Sequence, residues 1–159
     1  MSRERGRRPS RYFRAGAGAV IANSRGRVLV FEREDKPGAW QFPQGGLKRR
    51  ETWRQAVYRE IKEETGLSAS DLRLLGEYPE PLVYELPARA QSPKTGLGQV
   101  QHWFYFQLVS EDREPTIPRD SEFERWRWTS FDALLRSVVP FRRPLYRRLR
   151  THFRFLSQR

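Results

Sequence analysis

The segment that most constrains this chain is the run from Glu51 to Thr65, its clearest helical stretch. Trp53, Ala56, Val57, Ile61 and Glu64 recur at helical spacing, and Gly66 supplies a stop, because glycine takes the left-handed cap at low cost. The same helix carries the densest acidic cluster of the sequence. Glu60, Glu63 and Glu64 stand at i, i+3 and i+4, so all three can project from one face. Like charges so placed repel by a few tenths of a kcal/mol per pair, and something positive is expected beside them. A hard divalent cation such as Mg²⁺ or Mn²⁺ takes carboxylate oxygens and turns that repulsion into ligation. A solvated acidic face is the plainer alternative. The loop before the helix, QFPQGG from Gln41 to Gly46, bears on the choice: two adjacent glycines let backbone come close to an anion or a metal.

Around this helix the pattern is one of mixed strands. AGAVIA from Ala15 reads as a buried strand, Ser24-Arg25-Gly26 as a turn, and RVLVFER as a second strand. LRLLGEY, PLVYEL and the short ERWRW are further strands, and VQHWFYFQLV has the character of a central one. Ser130 caps a helix beginning FDALL, and another runs through Pro144 to Phe153. The stretches 88–99 and 110–122 lack periodicity and read as mobile loops. Trp40, Trp103, Trp126 and Trp128 are expected in the core, as is Tyr84. Strands mixed with central and terminal helices predict an α/β sandwich with a mixed sheet.

A chain of 159 residues fits one domain. The absence of cysteine excludes disulfide scaffolds, thiol catalysis and Cys-ligated zinc. No apolar run reaches membrane-spanning length, and MSRERGRRPSRYFR lacks the apolar stretch of a signal peptide, so a cytoplasmic protein is expected. Nothing in the sequence calls for a membrane or an obligatory protein partner. The net charge of +12 is uneven: residues 1–14 hold six Arg and one Glu, and residues 136–159 hold eight Arg and no acid. Residues 1–12 read as a flexible basic arm, 13–156 as the domain and 157–159 as a tail. Of 31 cations 27 are Arg. The planar guanidinium suits phosphate and base stacking, so a polyanionic ligand, nucleic acid or nucleotide, is favoured over solubility tails.

Read as one pattern, Gly45, five residues, Glu51, seven residues, then REIKEETGL from Arg59 to Leu67 resembles the 23-residue signature of the Nudix hydrolases, with every defined position filled. The resemblance implies a Nudix-type α/β/α sandwich with a mixed β-sheet and a catalytic loop–helix–loop. It implies hydrolysis of nucleoside diphosphates linked to another group, using Mg²⁺ or Mn²⁺, in more than one ion. Glu60, Glu63 and Glu64 would hold the metal with the carbonyl of Gly45. Arg59 would position Glu60, and Glu51 would fix the loop–helix junction. Glu60 is the first choice of general base, with Glu64 and Glu122 as rivals.

Beyond the signature, WQFPQGG, YELP, GQVQHWFYFQL, EFERWRW and PFRRPLYRR look like the bacterial RNA pyrophosphohydrolases, from about Phe13 to Phe153. These remove pyrophosphate from 5′-triphosphorylated or diphosphorylated RNA and leave a 5′-monophosphate that exposes the transcript to decay. Hydrolysis of diadenosine polyphosphates or other small nucleoside polyphosphates is the alternative within the same subgroup. By this resemblance Glu122 adds a carboxylate to the metal site, Arg14 contacts the 5′ phosphates and Phe141 stacks on a base. Gln41, Lys48, Gln99 and Gln101 would face substrate. Arg142, Arg143, Arg147 and Arg148 would extend phosphate contact along the chain. Glu34 stands where the RNA enzymes carry a second Arg, Val100 and His102 where Lys is common, and LKRR at 47–50 replaces an Asn-Pro-Gly type turn.

Overall fold

The structure, a computed structural model, describes residues 11–157. Its sheet is organised by one parallel pairing: β1 (Phe13–Ala22) runs beside β7 (Gly98–Leu108) from Phe13↔Gly98 to Ala22↔Gln107. The other pairings are antiparallel. β2 (Val28–Arg33) follows β1 through the Ser24–Gly26 turn, and takes β3 (Trp40–Gln41) on one edge and β8 (Phe123–Thr129) on the other. β4 (Gln44–Gly46) pairs with β1, while β5 (Leu72–Glu77) and β6 (Leu82–Glu85) both pair with β7.

Period-two alternation gives each face of this sheet its own core. Ala17, Ala19 and Ile21 of β1, Leu29 and Phe31 of β2 and Phe104 and Phe106 of β7 pack against Ala56, Val57 and Ile61 of α1 (Trp53–Thr65). Val20, Val28, Val30, Trp103 and Tyr105 point the other way. They meet Leu134 of α2 (Phe131–Ser137) and Leu145, Tyr146, Leu149 and Phe153 of α3 (Arg143–Ser157). The result is the expected α/β/α sandwich. The Tyr146 hydroxyl accepts from the Phe42 amide at 3.0 Å, tying α3 to the turn between β3 and β4.

The structure moves several expected boundaries. The helix begins at Trp53, because Thr52 is its N-cap: the Thr52 hydroxyl accepts from Gln55 N at 3.1 Å, and Gln55 Oε1 accepts from Thr52 N at 2.9 Å. This capping box leaves Glu51 outside the helix, free to bond elsewhere. Gly66 takes φ 74° as the C-cap. The aperiodic stretches have defined paths held by short turns, such as the 3₁₀ turn Ala88–Ala90, and by scattered hydrogen bonds, which leave no sequence period; residues 98 and 99 already belong to β7. Tyr12 donates to the carbonyls of Pro93 and Lys94 at 2.6 and 2.9 Å, and Thr116 N donates to Thr65 O at 2.8 Å. Trp40, Trp103 and Tyr84 are buried, and Trp126 and Trp128 are half-buried against the α1-side core. Most of the expected basic arm, residues 1–10, lies outside the described residues, as do 158 and 159 of the tail. No helix among the described residues is long and apolar enough to cross a membrane.

Candidate active site

The loop–helix junction is organised by one guanidinium. Arg59 donates Nε and Nη2 to the two carboxylate oxygens of Glu51 at 2.7 and 2.8 Å, and Nη2 also to the Gly46 carbonyl at 2.8 Å. Its Nη1 reaches Glu60 at 2.7 Å and Glu63 at 3.2 Å. Glu51 further accepts from Lys48 N at 3.0 Å. Paired first by Arg59 and then by the backbone, the Glu51 carboxyl is held down at about 2 from the ordinary 4.5. A lowered carboxyl stabilises the fold above its unfolded value and loses that contribution as pH falls through its folded value. Glu51→Gln is therefore expected to lower the melting temperature at pH 6. In thermal melts of the two proteins this gap should narrow from about pH 4.5 downward and close near pH 2. The turn into this junction passes through Arg50 at φ 64°, a conformation that favours glycine. That is the local consequence of LKRR replacing a glycine-bearing turn.

Gly45 shows why the loop needs glycine. A Cβ added there would fall 2.0 Å from Glu60 Cδ and 2.2 and 2.3 Å from its oxygens. Gly45→Ala must therefore swing the Glu60 carboxylate out of place. The expected result is a ten- to hundredfold loss of kcat, since displacements of about 1 Å cost up to about 10²-fold. Steady-state kinetics checks this beside an unchanged far-UV circular dichroism spectrum.

Glu60 and Glu64 form the acidic floor. Glu60 is buried, and loss of hydration raises its carboxyl despite the opposing pull of Arg59. Glu64 is raised well above the carboxylate range, mainly by burial and then by the charges of Glu60 and Glu122; its Oε2 accepts from Gln44 N at 3.2 Å. Two poorly hydrated like charges side by side call for a cation. The buried Gln44 Oε1 has no hydrogen-bond partner among the described residues, which adds another hard oxygen. Glu63 and Glu122 are half exposed and turned to other partners: Glu63 to Arg59 and to Lys48 Nζ at 3.9 Å, Glu122 to Arg33 at 3.8 Å. This explains why no three carboxylates or imidazoles among the described residues are gathered as a finished cage. The donors suit a hard divalent ion. Glu60 and Glu64 would hold it with the Gly45 carbonyl, and Glu63 and Glu122 would join on leaving their present ion pairs.

These acids open into a cavity of about 630 Å³. Of the residues expected at the site, Arg14, Gln41, Gly45, Glu60, Glu64, Gln99, Glu122 and Phe141 line it. Lys48 and Glu63 do not; both are exposed, and they face each other at 3.9 Å. Gln101 shares the β7 face of Gln99 but is 1% exposed, and it meets the cavity only through Gln99, donating Nε2 to Gln99 Oε1 at 2.7 Å. Phe141 is half-buried, with its ring 5.8 Å from that of Tyr84. Two cavity residues were not separated from their neighbours by sequence. Arg33 forks onto Asp35 at 2.8 and 2.9 Å, and Arg142 is buried, donating to Gln41 Oε1. The sequence groups Arg142 with Arg143, Arg147 and Arg148 as phosphate contacts along the chain, and nothing in it sets this side chain apart in the cavity. Lys94 and Thr95, from the aperiodic 88–99 stretch, complete one wall.

The NUDIX domain family matches residues 12–149. The chain belongs to the Nudix family. Curated Nudix relatives named RNA pyrophosphohydrolase from Serratia proteamaculans and Shigella boydii are each 42% identical over 146 residues, covering 89% of this chain and 83% and 82% of theirs. An Escherichia coli relative of the same name is likewise 42% identical over 146 residues. The fold is shared with a Caenorhabditis elegans Ap4A hydrolase binary complex at TM-score 0.70 and 21% identity, over 92% of this chain and 99% of that one. It is shared too with the E. coli dihydroneopterin triphosphate pyrophosphohydrolase, at TM-score 0.69 and 23% identity over 86% and 95%. As a Nudix hydrolase the chain acts on phosphoric anhydride bonds, and members of the family generally use divalent metals. The Nudix signature maps onto β4, the Lys48–Glu51 turn and α1, the elements that Arg59 ties together.

Proposed function

We propose that this Nudix hydrolase acts on the 5′ end of RNA, removing pyrophosphate or phosphate from a tri- or diphosphorylated terminus and leaving a 5′-monophosphate. The observation that carries the reading is the 42% identity, over 89% of the chain, to relatives bearing that name. The cavity lining supports it, because Arg14, Arg33 and Arg142, suited to phosphate, and the half-buried Phe141 share one cavity with the carboxylates. In this reading the oxygen of a water attacks phosphorus, the P–O–P bond breaks, and pyrophosphate leaves with the bond's electron pair. Glu60 takes the proton from the attacking water while Arg59, a positioning residue, fixes its carboxylate. Glu64 and Glu122 are the rival bases. Mg²⁺ or Mn²⁺, in more than one ion, supplies neutralising charge on the phosphates when bound. Arg14 and Arg142 contact the 5′ phosphates and Phe141 stacks on a base, an interaction of about 1–3 kcal/mol. In this reading the catalytic domain spans 13–156, with Tyr12 tied to it through Pro93 and Lys94, and action on transcripts puts the protein in the cytoplasm.

The deciding experiment compares kcat/KM, with Mg²⁺, for a 5′-triphosphorylated oligonucleotide and for diadenosine tetraphosphate. The RNA end is expected to be preferred. A clear preference for the dinucleotide overturns the reading in favour of small nucleoside polyphosphates.

A further inference from the structure

The C-terminal arginines do not form one group. Arg142 is buried in the active-site cavity, and Arg148 is engaged by Tyr78 and Glu80. Arg143 and Arg147 line a second, separate cavity with Arg136, Arg150, Leu135 and Asp132. Asp132 is the one acid there, and Arg150 and Arg154 both pair with it. Arg143 is fixed by donating to the carbonyls of Leu135 and Val138 at 2.9 and 3.5 Å, which orders the side chain but leaves its charge uncompensated. Arg136 and Arg147 are exposed and have no carboxylate partner among the described residues. Three guanidiniums thus converge on one hollow with no acid of their own.

The hollow adjoins the active site. Val139, Phe141 and Arg142 face the catalytic cavity while the next residue, Arg143, faces the second one, and successive Cα atoms are only about 3.8 Å apart. We propose that the Arg136–Arg143–Arg147 hollow is an exosite for the phosphodiester backbone of single-stranded RNA. It would take phosphates 3′ of the end held in the catalytic cavity, with the chain crossing the Val138–Arg143 turn. The proposal rests on the RNA reading above and adds to it a preference for substrates longer than a few nucleotides. Charge complementarity and the neighbouring active-site cavity, one residue away at Arg142, favour an RNA strand over an acidic protein. Backbone contacts of this kind carry no sequence information, so they raise affinity for every long RNA alike.

The test is the double variant Arg136→Gln/Arg147→Gln, which changes two exposed side chains. Wild type and variant are assayed on a 5′-triphosphorylated trinucleotide and on a 20-mer carrying the same first three nucleotides. The expected result is a rise of about fivefold or more in KM for the 20-mer, with trinucleotide kinetics unchanged. The slope of log KM against log salt for the 20-mer should fall by about 1.4, at about 0.7 per lost phosphate contact. Unchanged kinetics on the 20-mer, or equal losses on both substrates, overturns the exosite. Fluorescence anisotropy with a 5′-monophosphorylated 20-mer keeps the proposal separate from the activity. If wild type turns over neither substrate, the proposed function fails, while weaker anisotropy binding by the variant still supports the exosite and equal binding removes it.

Discussion

Glu60→Gln is expected to lower kcat on a 5′-triphosphorylated oligonucleotide by about 10²–10⁴-fold, the range of a lost general base. Its melting temperature should stay within a few degrees of wild type. The amide keeps the shape of the carboxyl group, so the close fit against Gly45 survives. Removing one of two poorly hydrated charges also relieves the repulsion that helps raise Glu64. The hydrogen bond from Arg59 Nη1 can pass to the amide oxygen. Activity and stability therefore separate at this position, as they do for a residue whose charge serves chemistry. Full activity in this variant would remove Glu60 from the reaction and leave Glu64 or Glu122 as the base.

Arg59→Met is expected to damage both properties. One guanidinium satisfies Glu51 twice, Glu60 and the Gly46 carbonyl, and the pairs with Glu51 and Glu60 are mostly sheltered from solvent. Taking away the cation leaves carboxylates unpaired where water is scarce, so the melting temperature should fall by several degrees. With Glu60 no longer fixed, kcat should drop by about 10²-fold while KM changes little, the split expected of a positioning residue. Arg59→Lys should recover only part of either loss, since an ammonium cannot present a planar fork to Glu51 while also reaching Glu60 and Gly46. The double variant Arg59→Met/Glu51→Gln supplies the control. It should regain stability without regaining kcat, because it removes one orphaned charge and still leaves Glu60 unheld.

What could be read from the sequence follows from what leaves a period. The continuous apolar runs of β1, β2 and β7 and the helical spacing of α1 are extended patterns, and they indicate buried strands and the acidic helix. β3 and β4, of two and three residues, are too short to show one, although β4 carries Gly45. The helix start was misplaced by two residues because Glu51 looks like a helix former, whereas the Thr52–Gln55 capping box fixes the boundary. At the site, Glu60, Glu63 and Glu64 were visible as a spacing. Their unequal fates were not: Glu64 is sunk in the floor while Glu63 faces Lys48. Gln99 and Gln101 differ in depth along one strand, which parity cannot report. The C-terminal arginines differ in tertiary partners far away in sequence, Gln41 for Arg142 and Glu80 for Arg148. The +12 charge therefore indicated a polyanion without showing which cations are free to meet it.

The most direct measurement is mass spectrometry of a 5′-triphosphorylated oligonucleotide after incubation with the protein and Mg²⁺, beside the Glu60→Gln variant and a chelator control. The account predicts conversion to the 5′-monophosphorylated oligonucleotide with release of pyrophosphate or of successive phosphates, lost in both controls. An intact 5′-triphosphate, under conditions where the same preparation consumes diadenosine tetraphosphate, would contradict it.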